Sequence, residues 1–274
     1  MSLLMLIACN EENEYPSTDE TETDYVLDMP TTEDSDEFEF WVELPSDDEL
    51  EEDDDETEIK IDDWPERVVF LTIDDGPGDY TAMLLDVLYE EDVPAIFFLR
   101  GDRILDDVSY SQALMERMLE EGHYIGLHTM THNYHTLYVG NEAPSRFVNE
   151  MFELQELIDD LVGHQTYLCR AAYGMMTGFR REHFVAVDDA GLTCIDWNID
   201  PQDWRTERDA QVIYEHVVQQ VEWLNFPSEV VIVLHEFDRT AAALPLIISF
   251  LHEHGYTFKT YEPGHEFIYT EYPL

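Results

Sequence analysis

Positive charge is scarce in this chain of 274 residues. Lys and Arg together number 13 against 63 Asp and Glu, which gives a formal net charge of −50 at pH 7, and only Lys60 and Lys259 are lysines. A surface of this sign repels polyanions, so nucleic acid and anionic membrane surfaces are excluded as partners. The acidic excess fits two interpretations, high solubility and adaptation to high salt or low pH.

Cysteines and long apolar runs are also few. Three cysteines do not make a disulfide framework, and Cys169 and Cys194 lie in short apolar runs that predict two buried thiols, with one bridge between them as the alternative. No run from Asn10 onward could span a bilayer. The apolar stretch 1–8 followed by Cys9 resembles a bacterial lipoprotein signal, with a plain signal remnant as the alternative. Membrane attachment is therefore expected only through a lipid on Cys9.

The acidic residues divide the chain into two parts of similar net charge. The part that ends at Asp63 holds 26 Asp and Glu and one Lys, without regular apolar periodicity. Such a segment cannot bury enough apolar surface to offset the entropy lost on folding. We therefore predict a lipoprotein signal remnant at 1–9, a disordered acidic linker at 10–63 and a folded domain at 64–274.

The folded domain alternates short β-rich runs with amphipathic helical stretches. Strands are predicted at 68–73, 95–99, 124–127, 166–170, 192–199, 230–234 and 257–261, and helices at 81–91, 109–121, 145–162, 181–190, 209–224 and 244–254. Repeated β-α units of this length favour a parallel sheet. The predicted fold class is α/β, a distorted, incomplete (β/α) barrel of about seven parallel strands.

Polar groups suited to chemistry follow five of the predicted strands. In a (β/α) barrel, the carboxyl ends of the strands meet on one face, where active sites are built. The residues at these strand ends are Asp74 with Asp75, His128, Arg170, Asp200 with Asp203, and His235.

Two of these strand ends offer metal ligands. His128 and His132 are four residues apart, a spacing that can bring two imidazoles to one side of a turn. Asp74 and Asp75 precede a Gly-Pro turn and should point in different directions, one towards a metal and one towards a water. Surface histidines and an ordinary Asp-Gly turn are the alternatives. Two imidazoles and one carboxylate would leave coordination positions open for water and substrate.

Five motifs in order carry a resemblance to a known family. They are Leu71–Pro77, His128–His132, Arg170–Gly174, Asp200–Trp204 and Val233–His235. Together they resemble the polysaccharide deacetylases with NodB homology, carbohydrate esterase family 4, over roughly residues 66 to 262. The stretch from Trp197 to Trp204 is similar to the branch that acts on peptidoglycan and chitooligosaccharides.

The resemblance implies a metal centre and a general base. Asp75, His128 and His132 would ligate a divalent metal, for which zinc is the best match, with cobalt, manganese or nickel as alternatives. Asp74 would be the general base that takes a proton from the metal-bound water, and Arg170 would hold and orient Asp74.

The resemblance also implies a proton donor and an acetyl pocket. His235 would be the general acid, with its pKa raised by Asp203. The backbone N–H of Tyr173 would donate to the oxyanion, and Trp204 and Leu234 would line the pocket for the acetyl group. The family commonly has Phe at position 73 and Pro between the Arg and the aromatic residue of the third motif, whereas this chain has Ile73 and Ala171–Ala172.

The implied function is the removal of N-acetyl groups from N-acetylglucosamine residues of a polysaccharide. The implied location is extracellular or at the cell surface. Two alternatives remain at this stage. An O-acetyl esterase acting on xylan or another glycan would use the same site, and a catalytically silent sugar-binding module would keep the fold without the reaction.

Overall fold

The first strand of the described chain carries the acidic pair, Asp74 and Asp75, near its carboxyl end. The computed structural model describes residues 67–267, so the predictions for 1–9 and 10–63 lie outside the described residues. The strands are β1 (Arg67–Gly76), β2 (Ile96–Leu99), β3 (Tyr124–Leu127), β4 (Leu168–Cys169), β5 (Thr193–Cys194), β6 (Glu229–His235) and β7 (Tyr256–Phe258). The helices are α1 (Thr81–Glu90), α2 (Gly101–Asp106), α3 (Val108–Glu120), α4 (Tyr134–Tyr138), α5 (Ala143–Val162), α6 (Met175–Gly178), α7 (Arg181–Asp189), α8 (Ala210–Trp223) and α9 (Asp238–Glu253).

All seven strands are parallel and form one sheet. Their order is β5-β4-β3-β2-β1-β6, and β7 pairs with the first residues of β1. The two ends of this row approach each other through a parallel bridge between Ile199, beyond β5, and Ile232 in β6. The sheet therefore curls into a distorted, incomplete barrel, and the predicted fold class is confirmed.

Both faces of the sheet are covered, which explains why β1 and β6 are apolar along most of their length. Val69, Leu71 and Ile73 pack in the larger core between sheet and helices. Phe70 points the other way, into a smaller cluster with Phe98 and other residues of neighbouring strands. Because side chains alternate along a strand, Thr72 and Asp74 share the face of Phe70, so β1 carries Asp74 from the barrel interior to its rim.

Several elements differ from their predicted bounds. Helix α9 begins at Asp238 rather than Leu244, and it continues through Pro245. The prediction followed the apolar run and missed the polar first turn. Helices α2, α4 and α6 were not predicted, because four to six residues are too few to show helical periodicity. The predicted strand 166–170 is reduced to the two residues of β4, and the predicted strand 192–199 to the two residues of β5 and the bridge at Ile199.

The two cysteines of the folded domain are free thiols. Cys169 and Cys194 occupy paired positions of β4 and β5, Cys169 buried and Cys194 partly so. The prediction of two thiols is confirmed. In the part of the chain that the structure covers, no helix has both the length and the apolar character that crossing a membrane requires.

Candidate active site

Three predicted ligands converge at the carboxyl ends of β1 and β3. Asp75 Oδ1 lies 3.5 Å from His132 Nε2 and 3.7 Å from His128 Nε2. One ligand atom from each of the three residues lies within 4.8 Å of the others. Ligand atoms around a tetrahedral zinc ion, at about 2.0–2.2 Å from the metal, are about 3.4 Å from one another. The cluster therefore fits a divalent metal with little movement.

Neighbouring groups orient the imidazole of His128 and keep the imidazole of His132 neutral, as metal binding requires. His128 Nδ1 donates to the Arg170 carbonyl oxygen at 3.0 Å, which leaves Nε2 directed at the cluster. Burial, followed by the proximity of His128, lowers the pKa of His132 to about 4, so its imidazole is neutral at pH 7, as a metal ligand must be. Burial also raises the pKa of Asp75, but the neighbouring histidines and Arg100 outweigh it, and the pKa lies below its ordinary value.

The acidic pair reaches the cluster with both carboxylates. Asp75 has φ 73°, in the left-handed region, and the pairing of β1 with β2 is irregular between Asp74 and Gly76. As a result Asp74 Oδ2 also comes within 3.9 Å of His128 Nε2. The two carboxylates were predicted to point in different directions, whereas the twist at Asp75 lets both face the same space.

Arg170 is fully buried beneath Asp74. Its Nη1 donates to Asp74 Oδ1 at 2.9 Å and to the Thr72 hydroxyl. The Nε and Nη2 atoms donate to the Ile195 and Asp196 carbonyl oxygens at 3.3 and 3.1 Å. A buried guanidinium with these partners holds the Asp74 carboxylate in one orientation. Arg170 is 0% exposed, so all of these partners are buried groups and none is a surface carboxylate.

His235 and Asp203 form a second charged pair beside Asp74. His235 Nδ1 donates to Asp203 Oδ1 at 2.7 Å, and Asp203 Oδ2 accepts from His235 N at 2.7 Å and from the Thr240 hydroxyl at 2.6 Å. Burial lowers the pKa of His235, but the hydrogen bond and charge of Asp203, with smaller contributions from Asp74 and Asp75, raise it to about 9. Asp74 and His235 are aligned partners in the neighbouring strands β1 and β6, so a carboxylate and an imidazolium lie side by side next to the cluster.

Known proteins are similar to this chain in sequence and in fold. The family model for polysaccharide deacetylases matches residues 62–195. A peptidoglycan-N-acetylglucosamine deacetylase of Bacillus cereus is 37% identical over 206 residues, which cover 73% of this chain and 71% of the relative. The chain belongs to the polysaccharide deacetylase family. It is accordingly an enzyme, a hydrolase, as the sequence predicted.

Solved structures agree with this assignment. A polysaccharide deacetylase from Bacillus cereus superposes with a TM-score of 0.66 at 36% identity, covering 74% of this chain and 96% of the other. A Streptococcus mutans esterase of carbohydrate esterase family 4 gives a TM-score of 0.65 at 29% identity, with 71% and 86% covered. This deacetylase therefore shares the barrel of its family.

The three remaining predicted residues of this deacetylase lie in different settings. Tyr173, with φ 65°, is 48% exposed and donates its hydroxyl to the His132 carbonyl oxygen at 2.9 Å, so it lies beside the cluster. Trp204 is 50% exposed and lies against Arg205. Leu234 is fully buried in the core between sheet and helices. Alternation along β6 puts Val233, not Leu234, on the face of His235, which corrects the prediction for Leu234.

Arg100 is a site residue that the sequence reasoning missed. Its Nη1 lies 3.4 Å from Asp75 Oδ1, and its Nε and Nη2 donate to the two carboxylate oxygens of Asp102 at 3.0 and 2.6 Å. Arg100 follows β2 directly, so it is one more polar residue at a strand end. The criterion that identified the other five strand ends, a polar residue directly after a predicted strand, would also have identified Arg100.

A cavity of about 370 Å³ adjoins the cluster beside Asp75, Arg100 and His235. Glu236 also lines it, with Oε1 accepting from the Thr81 hydroxyl at 2.6 Å. Oε2 of Glu236 is buried and has no well-aligned hydrogen-bond donor. The nearby Gly78 N–H donates to Thr81 Oγ1 at 2.7 Å instead. Burial raises the pKa of Glu236 to about 7. The cavity is the space in which a substrate would approach the cluster.

Proposed function

We propose that this deacetylase removes N-acetyl groups from N-acetylglucosamine residues of a polysaccharide, with a divalent metal held by Asp75, His128 and His132. The observation that carries the proposal is the placement of a carboxylate, Asp74, and an imidazolium, His235, on paired strand ends next to a candidate metal-ligand cluster. Hydrolysis of an amide requires an activated water, a polarised carbonyl and a proton for the leaving nitrogen.

The proton transfers follow from the charges of the chain. Asp74, held by Arg170, takes the proton of the attacking water. His235 is protonated at neutral pH because its pKa lies near 9, and it donates that proton to the leaving amine. The Tyr173 N–H donates to the oxyanion that forms at the acetyl carbon. A bound metal would supply acidification of the water and polarisation of the carbonyl; two imidazoles and a carboxylate suit zinc best, with cobalt, manganese or nickel as alternatives.

The substrate is proposed to be peptidoglycan or a chitin-like chain. The name of the Bacillus cereus relative specifies peptidoglycan N-acetylglucosamine, which supports a cell-wall substrate and a location outside the cell or at its surface. Lipid attachment at Cys9, the linker at 10–63 and a catalytic domain at 64–274 remain part of the same proposal.

Acetate release tests the reaction and its substrate. The full chain would be incubated with N-acetylglucosamine oligomers, peptidoglycan fragments and acetylated xylan, with the metal content of each sample measured. We expect release from the N-acetylated substrates. Faster release from acetylated xylan would favour an O-acetyl esterase, and release from none of them would contradict the proposal.

Asp75→Asn tests the ligand assignment. Loss of the anionic ligand should lower metal content and reduce acetate release by ~10²-fold or more, because the activated water is lost. Asp92→Asn, which changes an exposed carboxylate just after α1 and away from the cavity, is the matched control and should retain both properties. Full metal content and activity in Asp75→Asn would show that the ligand set is wrong.

A further inference from the structure

The loop between the two histidines, residues Thr129–Thr131, has an unfavourable backbone. Thr129 has φ 68° and His132 has φ 50°, both in the left-handed region. Conformations of this kind are unfavourable for a non-glycine residue and persist only when the surrounding structure holds them. The positions of His128 and His132 therefore depend on groups that restrain this loop.

One side chain outside the loop accepts hydrogen bonds from three of the loop's donor groups. Glu150 Oε2 accepts from the Met130 N–H at 3.1 Å and from the Thr131 N–H at 3.0 Å. The Thr131 hydroxyl lies 2.9 Å from Oε1 and 3.0 Å from Oε2. Glu150 is only 7% exposed, so these charge-assisted bonds are shielded from water.

The carboxylate is mounted on a rigid element. Glu150 belongs to α5, a helix of 20 residues whose apolar face includes Phe147, Met151 and Leu154. The opposite side of the loop is held by backbone bonds from Gly101 N to the Thr129 carbonyl oxygen, 3.0 Å, and from Asp102 N to the Met130 carbonyl oxygen, 2.8 Å. The loop is thus clamped between α5 and the start of α2.

We propose that Glu150 is a positioning residue for the metal centre. It holds the loop in the conformation that directs the Nε2 atoms of His128 and His132 at Asp75, and so it raises metal affinity without touching the metal. The inference rests on the proposed function in one respect, the assignment of these three residues as ligands. Groups that orient ligands in this way typically contribute 10–100-fold to metal affinity.

Zinc affinity of Glu150→Gln tests the proposal. Gln keeps the size of the side chain but removes its charge and replaces one acceptor oxygen with a donor that faces N–H groups. We expect the zinc Kd of the full chain, measured by competition with a chromophoric chelator, to rise about 10–100-fold. Glu153→Gln, an exposed position of the same helix, should leave the Kd unchanged. Thr131→Val, which removes only the hydroxyl, should raise the Kd by a smaller factor.

Two readouts separate this role from a general role in folding. Circular dichroism and thermal unfolding of the metal-free proteins report whether each variant is folded, and Thr131→Val carries the test if Glu150→Gln is not. At saturating zinc, kcat of Glu150→Gln should return to within a few-fold of wild type, because Asp74 and His235 are untouched. A wild-type Kd in both folded variants would overturn the proposal, as would a loss of kcat that persists at saturating zinc. If wild type binds zinc but releases no acetate, the proposed function fails while the positioning role is still measurable.

Discussion

At the level of single residues, two charged pairs set the proton chemistry of the proposed reaction. Arg170 has no exposure to solvent and holds Asp74 from below, whereas Asp203 holds His235 through both its carboxylate oxygens. In each pair, one member faces the metal cluster and the other is fixed by further hydrogen bonds. This arrangement keeps the reacting groups in place without reorganisation during the reaction.

Asp203→Asn should change the pH dependence of the reaction. Removal of the charge that raises the pKa of His235 should lower that pKa from about 9. The general acid is active only when protonated, so activity is present below this pKa and lost as pH rises through it. The alkaline limb of kcat/KM for acetate release should therefore move to lower pH.

The matched control for this prediction is Asp189→Asn, an exposed carboxylate on α7. Its profile should coincide with that of wild type. An alkaline limb that stays in place in Asp203→Asn would mean that another group donates the proton, or that Asp203 does not control His235.

At the level of elements, the two short strands β4 and β5 position the side chain of Arg170. β4 and β5 pair through only two residues each, yet Arg170 directly follows β4 and donates to carbonyl oxygens just beyond β5. The guanidinium also lies 4.3 Å from the centre of the Phe98 ring of β2. Groups from β1, from β2 and from the segment after β5 therefore converge on the side chain that orients the proposed general base.

Gly126→Ala should test this packing. Gly126 pairs with Phe98 across β3 and β2, and a Cβ at this position would lie 2.6 Å from the Phe98 ring and 3.3 Å from the Leu168 carbonyl oxygen. Without such contacts, alanine would stabilise the fold by about 0.4–1 kcal/mol. Overpacking should instead lower the free energy of unfolding by about 1–3 kcal/mol, measured by urea denaturation.

Phe98→Leu provides the control in a double-mutant cycle. A smaller side chain at position 98 should relieve the contact, so the two substitutions together should cost less than the sum of the single costs. A Gly126→Ala protein as stable as wild type would show that the sheet yields at this point and does not hold Phe98 against Arg170.

At the level of the whole molecule, the negative charge is divided about equally between the acidic segment and the domain. The part after Asp63 still holds 37 Asp and Glu against 12 Lys and Arg. Arg100 and Arg170, two of these scarce cations, lie at the active site, next to Asp75 and Asp74. Local positive charge therefore balances the acidic cluster where a metal and a substrate would bind.

Deletion of residues 10–63 should leave acetate release from soluble oligomers unchanged. The segment is predicted to act only as a linker, and every residue of the site lies in the domain after it. The measurement is kcat/KM on N-acetylated oligomers for the shortened and full chains. A clear drop in the shortened protein would show that the segment contributes to folding or substrate binding.

The order of the seven strands and the six longer helices, the incomplete barrel and the convergence of Asp75, His128 and His132 could be predicted from the sequence, because strand ends and motif spacing are local properties. The fold of β1, β3 and β6 brought Asp75, His128 and His235 together as expected.

The contacts of Arg100 and Glu150 could not be predicted in this way, since they depend on which side chains face each other across elements distant in the chain. The side of the sheet to which Leu234 points depends on the alternation of side chains along β6. The shared direction of Asp74 and Asp75 depends on the left-handed backbone of Asp75. Such choices arise from packing and backbone twist, and only the folded arrangement defines them.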